Sequence, residues 1–337
     1  WAPVFVYHGF RYVEIDGEEG DPDIKDFVGE VMYDRMQQTG HFETSDFIIN
    51  QIFKNAYWGI RGNYHNMPTD CPQRDERHGW LGDRATGCWG ESFVFDNALL
   101  YRKWLQDIEE SQREDGVISA VSPRFWTIYA GDVTWPSVYI LAAEMLYRHY
   151  GDATAIVKHY DSMKRWVEYI YKNSMKDGLV VRDEWGDWCM PPEAPELIHS
   201  QDPMRKTDGA ILGSTTFYGL LYKMIDFARI SGHSEDIDNY KTHAEALKKA
   251  YNKRFFNYET AQYGNNSVTG NLLSLRYGLV PDGYEKRVFN NVVEKTEKDC
   301  KGHVSTGVVG IQHLMRGLTE HGREDLAYKI VTNTDYP

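Results

Sequence analysis

Between Asp70 and Asp83 the chain places four acids, Asp70, Asp75, Glu76 and Asp83, within fourteen residues, interleaved with Arg74 and Arg77 and followed by Arg84. Carboxylates this dense suit two chemistries. They pass protons to a reacting group, or they hold the hydroxyls of a polar ligand while nothing reacts. A plainer description also fits: a solvated loop of ion pairs with one anchoring indole, since structural charge networks are common. Pro72, Gly79, Trp80 and Gly82 weigh against that description. A solvated linker carries charge readily, but seldom an indole and two glycines with it.

The composition around this run favours a ligand with a flat apolar face. The 337 residues hold 10 Trp, 23 Tyr and 14 Phe, 14% of the chain. Rings of this kind suit burial and also suit sugar rings, although most Trp residues in a large domain are core. The formal net charge of -13 disfavours nucleic acid, which needs a basic footprint. Cys71, Cys88, Cys189 and Cys300 show no CxxC spacing and suggest neither zinc nor a disulfide framework. No run approaches the roughly 18 apolar residues of a membrane span. The opening WAPVFVYHGF has neither the basic start nor the apolar stretch of a signal peptide.

The elements that must position the run are mostly helices. From Ser45, a candidate N-cap, Ile49, Ile52, Phe53, Ala56 and Tyr57 form one apolar stripe. Val94 to Ile108, Val138 to Leu146, Ile156 to Ile170, Phe217 to Ala228, Leu247 to Tyr251 and Val308 to Leu318 carry others. Gly151, Gly232 and Gly322 stand where three of them stop. Weaker patterns near 271–277, 283–298 and 323–331 bring the expectation to about ten helices, with no strand–helix rhythm. A toroid of helical hairpins is expected, since no fixed-period repeat supports a solenoid. Before Ser45 the pattern changes. FVYHGFRYVEIDG and DFVGEVMYD, split by the acidic turn DGEEGDPD, read as a strand pair. Two strands do not stand alone in water, so residues 1–44 read as the tail of an upstream β-domain and linker.

The run DCPQRDERHGWLGD resembles the signature of glycoside hydrolase family 78, the bacterial α-L-rhamnosidases. YHGFRYVEIDG resembles the passage leading into that catalytic domain, and FETSDFIINQIFKNAYWGIRGN its first helix. AGDVTWP, EWGDW, HVSTGVVGIQHL and AYKIVTNTDYP resemble later landmarks in the same order, so the likeness covers nearly the whole chain.

The resemblance implies an (α/α)6 toroid at 45–337, preceded by a β-sandwich remnant, that removes terminal non-reducing α-L-rhamnosyl groups with inversion. Inversion needs an acid to protonate the leaving oxygen and a carboxylate to activate water, roughly 6.5–9.5 Å apart. Glu76 matches the general acid. Asp70 and Asp83 match carboxylates that grip hydroxyls, Arg74 a further binding residue, and Trp80 a ring against which the 6-deoxy sugar buries its methyl. Asp132 and Trp135 in GDVTWP, and Asp187 and Trp188 in EWGDW beside Trp185, fall where family members place substrate-contacting loops. His78 departs from a position usually apolar, and His303 reads as a hydrogen bonder at a helix start.

Arg74 and Arg77 would oppose a proton on Glu76. The expected resolution is that Arg77 pairs with Asp75 or another acid while Asp70 and Asp83 surround Glu76 with negative charge. The resemblance implies no cofactor and no metal, a rhamnose-containing glycoside or polysaccharide as partner, and a periplasmic or extracellular location, with the cytoplasm as the alternative. It also implies that the base-bearing segment and the last helices lie beyond Pro337. Two other readings stay open: a helical-toroid glycosidase for another sugar, and a carbohydrate-binding protein that does no chemistry.

Overall fold

The computed structural model describes residues 2–16, 20 and 22–335. Its helices are α1 (Phe47–Gly62), α2 (Leu81–Glu91), α3 (Ala98–Glu110), α4 (Val138–Tyr150), α5 (Thr154–Tyr169), α6 (Gly209–Ser231), α7 (Ile237–Phe255), α8 (Val268–Arg276), α9 (Glu285–Glu294), α10 (Val308–Glu320) and α11 (Glu324–Val331). Two short hairpins, β1–β2 (Met175–Lys176 with Leu179–Val180) and β3–β4 (Phe256–Asn257 with Gln262–Tyr263), interrupt them.

The helices alternate between two rings. α2 packs on α4, α4 on α6, α6 on α8 and α8 on α10, and α10 returns to α2. Outside them α3 lies on α4, α5 and α7 on α6, α9 on α8, and α11 on α10. Each inner helix therefore follows an outer one and runs the same way, so the loops entering the inner helices gather on one face. The inner ring encloses a cavity of about 450 Å³ whose lining runs from Gly82 and Trp135 to Lys223, Arg276 and Arg316. Tyr328 Oη donates to Asp46 Oδ2 at 2.6 Å and joins α11 to the start of α1.

Local chemistry explains most of the ends. Asp46, not Ser45, caps α1: its Oδ1 accepts from Ile48 N at 2.7 Å and Ile49 N at 3.1 Å. Gly151 (φ 68°) and Gly232 (φ 85°) close α4 and α6 in the left-handed conformation that glycine adopts without penalty. The core follows the stripes. Tyr101, Leu105, Ile108, Met145, Met163 and Phe217 join one large cluster, while Leu272, Val292, Leu314 and Leu318 form a second between α8 and α11.

Two expectations change. Helix α2 begins on the last three residues of the acidic run and continues to Glu91, where the sequence shows no apolar stripe. Gly82, Gly87 and Gly90 thin its apolar pattern, yet packing overrides their low propensity: Leu81, Ala85 and Cys88 are buried. The strand pair before Ser45 does not form. Among the described residues there, one 3₁₀ turn at Ile24–Asp26 is the regular element, and Val28, Val31 and Met32 are all exposed. An alternating segment becomes a strand only where a sheet offers partners. Here the ribbon touches the toroid at isolated points, with Thr39 N donating to Val94 O at 2.9 Å and Asp34 N to Tyr64 O at 2.8 Å.

Candidate active site

The acidic run folds as a closed loop on the face where the inner helices begin. Asp70 pins its neck: His78 N donates to Asp70 Oδ1 at 2.8 Å, and Asp70 N to His78 O at 2.9 Å. The exit strand is tied to residues 120–122, with Leu81 N on Ala120 O and Ser122 N on Gly79 O, both 2.9 Å. Gly79 is required for that approach, since a Cβ there would sit 2.0 Å from Ser122 O. A Cβ on Gly82 would sit 2.1 Å from the Trp135 indole, so this glycine lets α2 slide beneath Trp135.

A buried charge network fixes the loop from below. Arg84 Nη2 donates to Thr69 O, and its Nη1 lies 2.7 Å from Glu91 Oε1. Glu91 Oε2 accepts from Tyr64 Oη and Tyr101 Oη, each at 2.6 Å. Asp70 thus enters the site from a carbonyl clamped to α2.

Above the clamp, one guanidinium joins two carboxylates. Arg74 Nη2 is 3.1 Å from Asp70 Oδ2 and 2.9 Å from Glu76 Oε2, and Trp80 Nε1 donates to Glu76 Oε1 at 2.6 Å. The Asp70 side chain is 3% exposed, Glu76 22% and Arg74 62%, so the arginine is the mobile member. Asp70, Cys71 and Glu76 bring three ligand-type atoms close together. Arg74 already supplies positive charge there, with its Nε 3.4 Å from Cys71 Sγ, which leaves little reason for a metal ion. Asp83, in the first turn of α2, is exposed yet crowded, as a group on the floor of a depression is. Desolvation there pushes its carboxyl above the usual range. Partial burial and the nearby Asp83 charge push the Cys189 thiol up, so the Trp188 loop passes close to Asp83.

Indoles wall this depression. Trp80 meets Trp185 edge-on at 5.1 Å; Trp185 stacks with Trp135 at 6.0 Å and meets Trp188 at 6.2 Å. Two carboxyls clasp the loops that carry them. Asp132 Oδ1 accepts from Glu184 N at 2.8 Å, while Asp183 accepts from Thr134 N at 3.0 Å and Thr134 Oγ1 at 2.7 Å. Asp132 Oδ2 is buried without a partner.

Residues 37–337 match the bacterial alpha-L-rhamnosidase six-hairpin glycosidase domain. An alpha-L-rhamnosidase of Formosa agariphila is 31% identical over the whole chain, which spans 36% of that relative. One of Streptomyces avermitilis is 29% identical, with the chain spanning 31% of it. The solved α-L-rhamnosidase of Dictyoglumus thermophilum superposes with a TM-score of 0.88 at 34% identity, covering 94% of this chain and 35% of that one. The Streptomyces avermitilis enzyme, solved with L-rhamnose, gives 0.84 at 26% identity, covering 92% of this chain and 28% of that one. The chain belongs to the bacterial α-L-rhamnosidase six-hairpin family. It spans about a third of the length of these relatives.

Within this rhamnosidase-family fold, Asp70, Arg74, Glu76 and Trp80 meet directly, and Asp83 and Trp188 border the same depression. Trp135 lies deeper, buried over Gly82. Asp187 is placed otherwise than the sequence suggests. Its Oδ1 accepts from Val309 N (2.9 Å) and Gly310 N (3.0 Å), and its Oδ2 from Thr269 Oγ1 (2.5 Å). It holds the first turn of α10, buried and with both oxygens engaged. Arg77 does not pair with Asp75: its Nε donates to Pro72 O at 3.2 Å, and its guanidinium lies 4.7 Å over Tyr7. His303 takes a hydrogen bond with Asn333 across 3.1 Å. Glu91, Asp183, Phe125 and Trp126 escape a sequence reading, because what marks them is a distant partner.

Asp187→Ala leaves two backbone donors at the head of α10 and one threonine hydroxyl unpartnered, a loss of about 3 kcal/mol in denaturant-unfolding stability. A loss under about 1 kcal/mol would contradict the anchoring role.

The clasp makes stability depend on pH. Burial first, then the Asp183 and Glu184 charges, push the Asp132 carboxyl up to about 7, with Arg182 opposing them. Between the ordinary carboxylate range and about 7, the folded chain keeps a proton that the unfolded chain releases. Stability therefore falls as pH rises through that window and levels off above it. Asp132→Asn keeps an acceptor for Glu184 N and removes the charge. Its expected melting temperature at pH 8 exceeds wild type, by about 1–3 kcal/mol of stability, with little difference at pH 4.5. A variant destabilised equally at both pH values would refute this.

Proposed function

We propose that this domain hydrolyses terminal non-reducing α-L-rhamnosyl groups of glycosides or polysaccharides with inversion, with Glu76 as general acid. The observation that carries the reading is a partly open carboxyl, held by Trp80 and Arg74 at the edge of an indole-walled depression, in a chain whose relatives are named alpha-L-rhamnosidases.

Both Glu76 oxygens accept hydrogen bonds, Oε1 from Trp80 and Oε2 from Arg74. Arg74 is the exposed partner and the one free to swing. When sugar hydroxyls enter, Arg74 turns to them, Asp70 Oδ2 and Glu76 Oε2 lose their shared partner, and Glu76 delivers its proton to the glycosidic oxygen. Trp80 Nε1 keeps the carboxyl oriented throughout. Asp70 and Asp83 take hydroxyls as charge-assisted acceptors. The C6 methyl lies against the Trp80 indole, where burying such a group contributes roughly 0.8 kcal/mol. A water, deprotonated by the second carboxylate, attacks the anomeric carbon from the opposite face as the C–O bond to the leaving group breaks, which sets the product anomer.

Proton NMR on the intact protein during the first minutes of turnover tests inversion. An α-L-rhamnoside should release β-L-rhamnose first, with the α anomer appearing only through mutarotation. First release of the α anomer would replace inversion by retention.

A further inference from the structure

Trp80 belongs to two aromatic chains. One runs inward through the half-buried Trp185 to the buried Trp135, with the exposed Trp188 beside Trp185. The other runs outward: Trp126 lies 6.1 Å from Trp80 edge-on, the His78 ring lies 4.2 Å from Trp126, and Phe125 stacks on His78 at 5.1 Å and 21°. The outer set is open, with Phe125 75% and Trp126 39% exposed. It is also held in place. The backbone bonds of residues 79–81 to 120–122 tie its two segments together, and Trp104 Nε1 donates to Ser122 O at 2.7 Å. Arg124, next to Phe125 in the chain, donates to Tyr129 Oη at 3.2 Å. Exposed rings fixed in a stack are unusual unless something covers them.

The rest of this inference depends on Glu76 as proton donor. An acid that protonates a glycosidic oxygen stands at the boundary between the sugar it releases and the group that leaves. Glu76 is bonded to Trp80, the one ring the two chains share among the described residues. A terminal sugar enters the inner side, where Asp70, Asp83 and the buried Trp135 lie. The leaving group then falls on the outer set. We infer that His78, Phe125 and Trp126 form the leaving-group subsite and select a planar aromatic aglycone.

A second sugar fits this surface less well. Sugar subsites pair ring faces with side chains that hold hydroxyls. Here the stacked faces carry two apolar rings and an imidazole, and the Arg124 guanidinium has its own partner in Tyr129. Ring-on-ring stacking contributes about 0.5–1.5 kcal/mol beyond area burial.

The test compares 2-naphthyl and methyl α-L-rhamnosides on the intact protein and its Phe125→Ala and Trp126→Ala variants. The ratio of kcat/KM for naphthyl over methyl should fall roughly three- to tenfold in each variant. An unchanged ratio, whether both substrates suffer alike or neither does, would overturn the subsite. Equilibrium dialysis of free 2-naphthol separates this outcome from a failure of the rhamnosidase reading. If the wild type turns over neither substrate, naphthol binding weakened in Phe125→Ala keeps the aromatic site, and equal binding removes it.

Discussion

Glu76→Gln should lower kcat/KM on a natural rhamnoside by about 10²–10⁴-fold, the usual contribution of a positioned general acid. Glutamine is nearly isosteric and still accepts from Trp80 Nε1, so the geometry survives while the transferable proton is gone. The loss should shrink on a p-nitrophenyl rhamnoside, whose leaving group needs little protonation. That difference between substrates separates an acid from a binding residue, which would weaken both alike. Stability should stay within about 1 kcal/mol of wild type, because the Arg74 partner is largely exposed. Equal losses on both leaving groups would assign Glu76 to binding instead.

The largest expected stability effect lies below the site. Glu91→Ala strands the Arg84 guanidinium and the Tyr64 and Tyr101 hydroxyls in the interior, and one stranded member of a buried pair costs about 3–5 kcal/mol. The damage should reach the chemistry, because Arg84 also grips the Thr69 carbonyl that delivers Asp70. Glu91→Gln keeps two acceptor lone pairs and loses the charge, so its urea midpoint should lie between the other two. An alanine variant within about 1 kcal/mol of wild type would show that water or repacking satisfies Arg84, and the clamp would lose its role.

How far the sequence foretells this arrangement depends on how far apart the cooperating residues lie. Asp70, Arg74, Glu76 and Trp80 interact across two to four positions, so their motif already groups them. Apolar stripes likewise announce α1 and α3 through α11, since a helix buries one face whatever lies opposite. Helix α2 is hidden because its glycines thin the apolar stripe, and one of them, Gly82, is there for a neighbour, Trp135, rather than for helix propensity. Asp183 and Asp187 work through partners 49 and 122 positions away, Thr134 and Val309, and no local pattern reports such a pairing. The charge of Asp187 resembles that of a ligand-binding acid until α10 is seen to consume it. The strand pair fails for a related reason: alternation states what a strand would bury, and only a partner sheet makes it one.

The central claim is that this site cleaves the bond to rhamnose. Incubating the intact protein with p-nitrophenyl glycosides of α-L-rhamnose, α-L-fucose, β-D-glucose and β-D-glucuronic acid, and following nitrophenol release, tests it most directly. Release from the rhamnoside at least a hundredfold faster than from the others is the expected result. Tight L-rhamnose binding with no release, or preferred release from another sugar, would contradict it.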